Sequence, residues 1–383
     1  MDINDIKTVT VIGAGDMGHG IAEVALIAGF QVNLQDIKQE FVDKGIQRIY
    51  QSLEKLVAKG KVEQALFDRI KTDLLRPFVS LEDSVTNADL VIEAIPEVMD
   101  LKKATFEKID KSAPAHTIIA SNTSTMKITE IATATSRPDK ILGLHYFNPA
   151  ILMKLVEVIR AEGTSDETMQ IGYDFVLKNN KVAVRVEKDI PGFIVNRAQA
   201  PAGVLLNCYL DNNVAEPEEI DATMRTLGMP MGPYELMDYT GLDINFHAAA
   251  YFAEAIHPDF ACGPTVEAKV KAGELGKKTG KGLFDWSSGR PEIDTGKATD
   301  KFDPMDIMAV NINEATKIVE QGACKLEDID VAIINATGNK LGLIAVAKGI
   351  EPQDLVNRLE KLASTYNKEI FKPSDMIKNG SYR

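Results

Sequence analysis

A histidine and a glutamate lie in this sequence where they could share a proton. His145 follows the apolar run Ile141–Leu144, which predicts a buried strand, and Glu157 lies in a second apolar run, Leu152–Val158. An acid inside an apolar strand is costly unless it has a partner. Because Asn148-Pro149 predicts a turn, we expect the chain to bring the two side chains together. A carboxylate beside an imidazole stabilises the protonated ring and fixes its tautomer, as a general acid–base requires; a purely structural hydrogen bond is the alternative.

A glycine-rich turn near the N-terminus predicts a dinucleotide site. The order is a β-branched strand at 8–12, the segment Gly13-Ala14-Gly15-Asp16-Met17-Gly18, a helix, a second strand at 30–34 and then Asp36. A G-x-G-x-x-G pattern is weak evidence by itself. Flanked by both strands and followed by the acid, it indicates dinucleotide binding.

Each element of this pattern has a physical reason. Gly13 permits the tight turn, Gly15 lets the backbone approach a pyrophosphate, and Gly18 lets helix and strand pack closely. The pyrophosphate is expected at the helix N-terminus, where free N–H groups favour anions. Asp36 can accept a hydrogen bond from a ribose 2′-hydroxyl and would repel a 2′-phosphate, so the sequence favours NAD over NADP.

Strands and helices alternate up to about residue 187, and the pattern then becomes helical. This predicts an α/β, Rossmann-type, doubly wound and mostly parallel sheet followed by all-α domains. Further strands are expected at 90–95, 117–120 and 182–186, with helices near 98–112 and 124–135 and an inserted helical hairpin over 38–76, broken at Gly60. After residue 187, one of the predicted helices runs from Tyr234 to about Ala255. The predicted domains are 1–187, which binds NAD, an all-α domain at 188–290, and a third domain at 303–383.

The third domain is predicted to be a degenerate copy of the second. The segment Glu218–Asp221 aligns with Glu327–Asp330, and Gly232 aligns with Gly342, each glycine being followed by an apolar helix. The copy lacks the Asn-Arg pair that follows Pro-Gly-Phe in the first, so any chemistry of the first copy is absent from the second.

Composition narrows the function classes. The chain has 383 residues, 45% of them hydrophobic, and a formal net charge of −13, which disfavours nonspecific binding of nucleic acid. No apolar run approaches the length of a membrane span, and we expect no leader peptide. Three widely spaced cysteines indicate reduced thiols in the cytoplasm, and five scattered histidines argue against a metal site. The hairpin window 38–76 is locally basic and could attract a phosphate-bearing ligand, or it could be an ordinary solvated surface.

The chain resembles the L-3-hydroxyacyl-CoA dehydrogenases from its N-terminus to about Trp286. The motifs that carry the resemblance are VIGAGDMGHGIA (11–22), VIEAIPE (91–97), ASNTST (120–125), GLHYFNP (143–149), KLVEVI (154–159), DIPGFIVNR (189–197), MGPYELMDYTGLD (231–243) and GKKTGKGLF (276–284). Residues 303–383 resemble the second C-terminal copy of larger members of the family. The resemblance implies NAD as cofactor and an acyl-CoA substrate oxidised at its 3-hydroxyl in fatty acid β-oxidation.

The resemblance also implies roles for individual residues. His145 matches the catalytic histidine and Glu157 the acid that orients it. Three further catalytic residues match positions around the reacting oxygen: Ser124, Asn148 and Asn196. The cofactor contacts that it implies are Gly13, Gly15, Asp16, Met17, Gly18, Asp36, Glu97, Lys102, Ser124, Asn148 and Lys278. Ser52 and Lys59 match contacts to coenzyme A.

Two other functions compete. A related hydroxy-acid dehydrogenase, such as a gulonate dehydrogenase or a λ-crystallin-like protein, would share the fold and the histidine without needing coenzyme A. A non-catalytic NAD-binding protein would not need the histidine–glutamate pair. For assembly, the second copy leads us to expect a monomer with an internal pseudo-dimer; a homodimer is the alternative.

Overall fold

An eight-stranded sheet organises the first part of the chain. The computed structural model, which describes residues 1–383, gives the strands β1 (Thr8–Ile12), β2 (Gln31–Gln35), β3 (Leu75–Phe78), β4 (Leu90–Glu93), β5 (Ile118–Ser121), β6 (Ile141–Tyr146), β7 (Leu155–Arg160) and β8 (Val182–Val186). Their order is β3-β2-β1-β4-β5-β6-β7-β8. Every neighbouring pair is parallel except β6 and β7. The predicted doubly wound, mostly parallel sheet is confirmed.

Helices cover the sheet and make up most of the remainder. They are α1 (Gly18–Ile27), α2 (Gln39–Ala58), α3 (Gln64–Arg69), α4 (Leu81–Val85), α5 (Met99–Ser112), α6 (Ile128–Ala132), α7 (Asp166–Lys178), α8 (Val195–Asp211), α9 (Pro217–Thr226), α10 (Pro233–Thr240), α11 (Leu242–Ala255), α12 (Pro264–Lys271), α13 (Pro304–Glu320), α14 (Leu326–Thr337), α15 (Leu343–Ala347), α16 (Pro352–Tyr366) and α17 (Asp375–Asn379). A π-helical turn, Ile70–Leu74, follows α3.

Three local predictions differ from the structure. The predicted hairpin helix ends early, because residues 75–78 leave it to form the edge strand β3. The helix expected over 124–135 is reduced to α6. The single helix expected from Tyr234 to Ala255 is two helices, because Gly241 has φ of +108°, outside the helical region.

The antiparallel pair β6–β7 sets the register at the histidine. His145 lies directly opposite Glu157 across the two strands. Directly opposite residues of an antiparallel pair point to the same face, so the two side chains meet. Both strands are buried except at Arg160, the last residue of β7, which explains why the rest of their sequences is apolar apart from His145 and Glu157.

The chain divides into two compact units. The first comprises residues 1–195 and 322–342, and the second comprises 196–321 and 343–383. Residues 303–383, predicted as one separate domain, are therefore distributed over both units. The reason lies in α14, whose apolar residues Ile329, Ala332 and Ile333 are buried within the first unit, where α14 packs against β7 and β8.

The helices and the cysteines can be compared with what the sequence predicts about membrane spans and thiols. None of the helices is both long enough and apolar enough to cross a membrane. The three cysteines carry free thiols. Burial raises the pKa of Cys208 and of Cys262 to about 11, so both are held in the unreactive thiol form.

Candidate active site

The centre of the site is the His145–Glu157 pair. The imidazole Nδ1 lies 2.6 Å from Oε2 of Glu157. The other carboxylate oxygen, Oε1, accepts hydrogen bonds from the backbone N–H groups of Ile194 and Val195, each at 3.0 Å. His145 is 4% exposed and Glu157 is fully buried. Three donors thus satisfy the buried acid, and because Nδ1 is engaged, Nε2 is the ring atom left to exchange a proton with a substrate.

Aromatic side chains hold the imidazole in place. The ring of Phe147 lies 4.4 Å and that of Phe193 lies 5.6 Å from the imidazole, centroid to centroid. Phe193 has φ of +54°, a conformation that a bulky residue adopts only under constraint from its surroundings. This turn, at Gly192-Phe193, leads into the two N–H groups that bind Glu157. The Pro-Gly-Phe sequence is therefore part of the support for the pair.

A second polar cluster forms where β4 and β5 end. Glu97 Oε1 accepts hydrogen bonds from the backbone N–H of Ser124 at 2.7 Å, from the Ser124 hydroxyl at 3.2 Å and from the Thr123 hydroxyl at 3.0 Å. The structure thus brings Glu97 and Ser124, both predicted from the sequence, into direct contact. β4, β5 and β6 run parallel, so their carboxyl ends, and with them Glu97, Ser124 and His145, lie along one edge of the sheet.

Glu93 is a residue of this cluster that sequence reasoning missed. Its carboxylate is fully buried at the end of β4, where Oε1 accepts from Lys102 Nζ at 2.7 Å and Oε2 accepts from the Ser121 hydroxyl at 2.7 Å. Lys102, 1% exposed, lies 3.3 Å from Glu97 as well. An acid at the end of the apolar run Leu90–Glu93 is the same signal that singled out Glu157, and it could have been read in the same way.

The glycine turn after β1 has the geometry of a phosphate cradle. Gly13 has φ of +98°, and a Cβ there would lie 2.6 Å from the Ala94 carbonyl oxygen. A Cβ on Gly18 would lie 1.7 Å from the carbonyl oxygen of Gly13. Gly15, by contrast, has no atom within 4 Å of an added Cβ, so this side of the turn is open for close approach by a ligand. The turn is therefore tight at Gly13 and open at Gly15. A Cβ on Gly18 would also lie 3.5 Å from Val11 of β1, so this glycine lets α1 pack closely against the strand, as the sequence predicts.

The turn opens onto a cleft that fits a dinucleotide. The cleft measures about 990 Å³, and its walls include the glycine turn with Asp16 and Met17, the end of β2 with Asp36, and the segment after β4 with Pro96. Asp36 Oδ2 accepts a hydrogen bond from the N–H of Ala14 at 2.8 Å, which places this acid against the turn. Asp16 forms an exposed ion pair with Arg48 at 2.6 Å. An open glycine turn at a helix N-terminus, with an acid beside it, suits an adenine dinucleotide that carries a free ribose 2′-hydroxyl.

The remaining predicted residues are distributed over both units. Asn148 is exposed in the turn between β6 and β7. On α2, Ser52 is half-buried beside Glu23 of α1, and Lys59 is exposed just past the helix end. In the second unit, Asn196 lies in the first turn of α8, and Lys278 forms an ion pair with Asp243. The roles of these five residues stay predictions.

Comparisons with known proteins agree with a dinucleotide-dependent oxidoreductase. Residues 8–190 match the family profile described as 3-hydroxyacyl-CoA dehydrogenase, NAD binding domain, and residues 192–286 match that described as 3-hydroxyacyl-CoA dehydrogenase, C-terminal domain. A probable 3-hydroxybutyryl-CoA dehydrogenase of Bacillus subtilis is 41% identical over 292 residues, covering 74% of this chain and 98% of that protein. The human mitochondrial hydroxyacyl-coenzyme A dehydrogenase is 41% identical over 289 residues, covering 73% of this chain and 91% of that protein.

The resemblance to solved structures extends over nearly the whole length of the chain. The crystal structure of 3-hydroxybutyryl-CoA dehydrogenase from Escherichia coli K12 matches with a TM-score of 0.89 at 29% identity, covering 98% of each chain. The class of protein is therefore an NAD-dependent oxidoreductase. This chain belongs to the 3-hydroxyacyl-CoA dehydrogenase family, and the resemblance inferred from its motifs is confirmed.

Proposed function

We propose that this protein oxidises (S)-3-hydroxyacyl-CoA to 3-oxoacyl-CoA, and catalyses the reverse reduction, with NAD. The observation that carries the proposal is the buried His145–Glu157 pair, which lies at the sheet edge where the cofactor cleft opens. A four-carbon substrate, 3-hydroxybutyryl-CoA, is the first to test, since two of the relatives above carry that name.

The chain's own residues supply the proton chemistry. When bound, NAD accepts hydride from the carbinol carbon. His145 takes the 3-hydroxyl proton at Nε2, and Glu157 stabilises the imidazolium that results. In the reverse direction the same ring donates the proton to the oxygen of the ketone. Because Glu157 is itself held by two backbone N–H groups, its carboxylate keeps one orientation while the ring gains and loses charge.

Neutral hydrogen-bond donors are proposed around the reacting oxygen. Ser124 and Asn148 can donate to an oxygen that becomes more negative in the transition state, which is the usual form of such stabilisation. Glu97 accepts hydrogen bonds from the backbone N–H and the hydroxyl of Ser124, which places this side chain in advance. Because the hydroxyl has one proton, it turns from Glu97 to the reacting oxygen when it takes this role. Asn196 and Lys278 are also proposed to take part in the reaction, as the family resemblance implies.

The coenzyme A part of the substrate is proposed to bind at α2. Ser52 lies in the last two turns of α2, and Lys59 is the residue that follows the end of this helix. Lys59 is exposed and can meet a phosphate, whereas Ser52 is half-buried. The locally basic character of the 38–76 window favours the same assignment.

Turnover of matched substrates tests the proposal and its alternatives. We expect NADH oxidation with acetoacetyl-CoA and little with free acetoacetate. Longer 3-oxoacyl-CoA substrates, assayed in parallel, would define the preferred chain length. Turnover of simple keto acids in preference to the thioesters would favour a hydroxy-acid dehydrogenase. NADH binding without turnover of any of these compounds would favour a non-catalytic role.

We further propose that residues 303–383 are a second copy of the helical domain at 188–290. The support is a repeated local geometry: a Cβ on Gly232 would lie 2.2 Å from the carboxyl carbon of Asp221, and a Cβ on Gly342 would lie 2.2 Å from that of Asp330. In both places any side chain larger than that of glycine would clash with the carboxyl group of the aspartate. The domain boundary near residue 187, the internal pseudo-dimer and a monomeric chain belong to the same proposal, which the truncation described in the Discussion tests.

A further inference from the structure

Lys181 binds the turn that joins the two strands of the active site. Its ammonium donates hydrogen bonds to the carbonyl oxygens of Ala150 at 2.6 Å and Met153 at 2.7 Å, with Ile151 at 3.4 Å. This turn leads from β6, which carries His145, to β7, which carries Glu157, and none of the catalytic steps above uses Lys181.

The turn needs such a partner. The N–H groups of Leu152 and Met153 both bond to the carbonyl of Pro149, so residues 149–153 form one isolated helical turn. The last carbonyl groups of a helical turn have no hydrogen-bonding partner within the turn. That end of the turn is also the negative end of its dipole, where a cation is stabilised. Lys181 fills both requirements with one group.

Lys181 is itself anchored to regular structure. Its backbone N–H bonds to the carbonyl of Val176, and the next residue, Val182, begins β8 and donates to the carbonyl of Lys154. The turn also packs tightly on the other side, since a Cβ on Gly20 of α1 would lie 3.2 Å from the Cβ of Ala150. The turn is therefore held between a helix and a strand end.

The charged surroundings of Lys181 are sparse. Burial lowers the pKa of its ammonium to about 8, while the negative charge of Glu23 on α1 opposes that shift. Glu23 is 1% exposed and lies beside the hydroxyl of Ser52. A desolvated ammonium in such a site is tolerated because the carbonyl oxygens replace its water.

We propose that Lys181 is a positioning residue for the reaction: it fixes the turn that presents Asn148 to the substrate. Asn148 precedes the helical turn directly and is exposed, so its placement depends on the turn that follows it. The inference rests on the proposed function, in which Asn148 donates to the reacting oxygen. Lys181 acts through Asn148 and does not itself touch the substrate.

The test compares Lys181→Met with Lys181→Arg and with Lys178→Met as a matched control. Lys178 ends α7 three residues earlier, and its ammonium lies 4.9 Å from the ring of Phe30. We expect K181M to lower kcat for acetoacetyl-CoA by roughly 10- to 100-fold, as for a misplaced positioning group. NADH affinity should fall much less than kcat, because Asn148 is one of many implied cofactor contacts and no residue of the turn itself lines the cofactor cleft. K181R should recover part of kcat, and K178M should behave as wild type.

Hydrogen exchange gives a readout that does not depend on activity. The amides of residues 152 and 153 should exchange faster in K181M than in the wild type and in K178M, with global thermal unfolding little changed. If K181M does not fold, Lys181→Gln, which keeps a donor, takes its place under the same criteria. A variant with wild-type kcat and exchange, an equal loss of kcat and NADH affinity, or no recovery by K181R would each overturn the inference. A wild-type protein that does not reduce acetoacetyl-CoA would instead overturn the proposed function, and the exchange comparison would still decide whether Lys181 holds the turn.

Discussion

At the scale of single residues, the site depends on how each buried charge is satisfied. Glu157 has three donors, and Lys102 lies between Glu93 and Glu97. A buried acid without such partners would cost several kcal/mol, so these contacts are a condition for having a charged pair inside a sheet. The same contacts orient the side chains, which makes them useful for catalysis as well as for folding.

His145→Gln tests the proton-transfer role directly. We expect kcat to fall by about 10²–10⁴-fold, the usual contribution of a positioned acid–base. NADH affinity should be nearly unchanged, because His145 does not line the cofactor cleft. His116→Gln is the control, since His116 is an exposed histidine paired with Asp89 at 3.0 Å. A H145Q enzyme that keeps more than about a tenth of wild-type kcat would contradict the assignment.

Asp36→Ser tests the choice between NADH and NADPH. The carboxylate lies against the glycine turn, bonded to the N–H of Ala14, where a 2′-phosphate would meet its charge. We expect the substitution to narrow the ratio of kcat/KM for NADH over NADPH. Asp43→Asn, an exposed acid on α2 whose carboxylate bonds Gln39, is the control. A wild-type enzyme that already uses both cofactors equally would refute this role for Asp36.

At the scale of elements, the antiparallel β6–β7 pair is what makes the acid–base geometry possible. A parallel neighbour would need a crossover connection of a dozen or more residues. The antiparallel pair needs only the turn between residues 146 and 155, and it places His145 and Glu157 directly opposite each other. The only antiparallel pair of the sheet is therefore the one that carries His145 and Glu157.

The end of α5 is secured by a partly buried ion pair between Asp110 and Arg137, which offers a stability prediction. Asp110 accepts hydrogen bonds from Arg137 at 2.6 Å and from the backbone and hydroxyl of Ser136 at 2.8 Å each. Burial opposes ionisation of Asp110, but these bonds outweigh it and hold the pKa of the carboxyl below its usual value. Arg137→Met should lower the free energy of unfolding by about 3 kcal/mol at pH 7, because it leaves a largely buried carboxylate without its cation.

The effect of R137M should depend on pH in a defined direction. A carboxyl whose pKa is lowered by folding contributes stability above its unfolded value of 3.8 and loses that contribution as the pH falls through its folded value. The difference between R137M and the wild type should therefore shrink below pH 4. Lys111→Met, which removes an exposed pair with Glu107 on the same helix, should leave stability nearly unchanged at both pH values. Urea unfolding at pH 7 and pH 3.5 measures both, and a constant difference would contradict the prediction.

At the scale of the whole molecule, residues 303–383 contribute to both compact units. In the first unit, α14 covers β7 and β8 with its apolar residues. In the second unit, Glu314 of α13 pairs with Arg197 of α8 at 2.5 Å, with both side chains buried, and Asn311 accepts from the N–H of Ala202. The helices α8 and α13, which begin the two proposed copies, thus contact each other through polar groups. Each of these groups would be buried without a hydrogen-bonding partner if the other helix were removed.

Deleting residues 303–383 tests the proposed pseudo-dimer. The deletion uncovers the β7–β8 face and leaves Arg197 buried without its acid, which typically costs 3–5 kcal/mol. We expect light scattering to show a monomer for the full chain and either dimers or aggregates for the truncated one, with a lower unfolding temperature. The single substitution Glu314→Ala should lower stability without exposing the sheet. A truncated protein that remains monomeric and as stable as the full chain would rule the proposal out.

The sequence by itself determined those features that depend on near neighbours. Alternation of apolar runs and turn residues located all the strands except the edge strand β3. The spacing of Gly13, Gly15 and Gly18 followed by Asp36 identified the dinucleotide turn. Each glycine is needed for a local reason, since Gly13 and Gly18 have no room for a side chain and Gly15 leaves space for a ligand. The pairing of His145 with Glu157 was also predictable. A buried acid needs a hydrogen-bonding partner, and the histidine on the neighbouring strand, one turn away, can supply it.

Only the tertiary structure decided the contacts between distant segments. The N–H groups of Ile194 and Val195 that complete Glu157 come from 37 and 38 residues further along the chain. Lys181 reaches a turn about thirty residues earlier, and α14 joins a sheet whose last strand ended at Val186. No local pattern encodes these contacts, because they depend on which apolar faces and unpaired backbone groups remain to be covered once the sheet has formed.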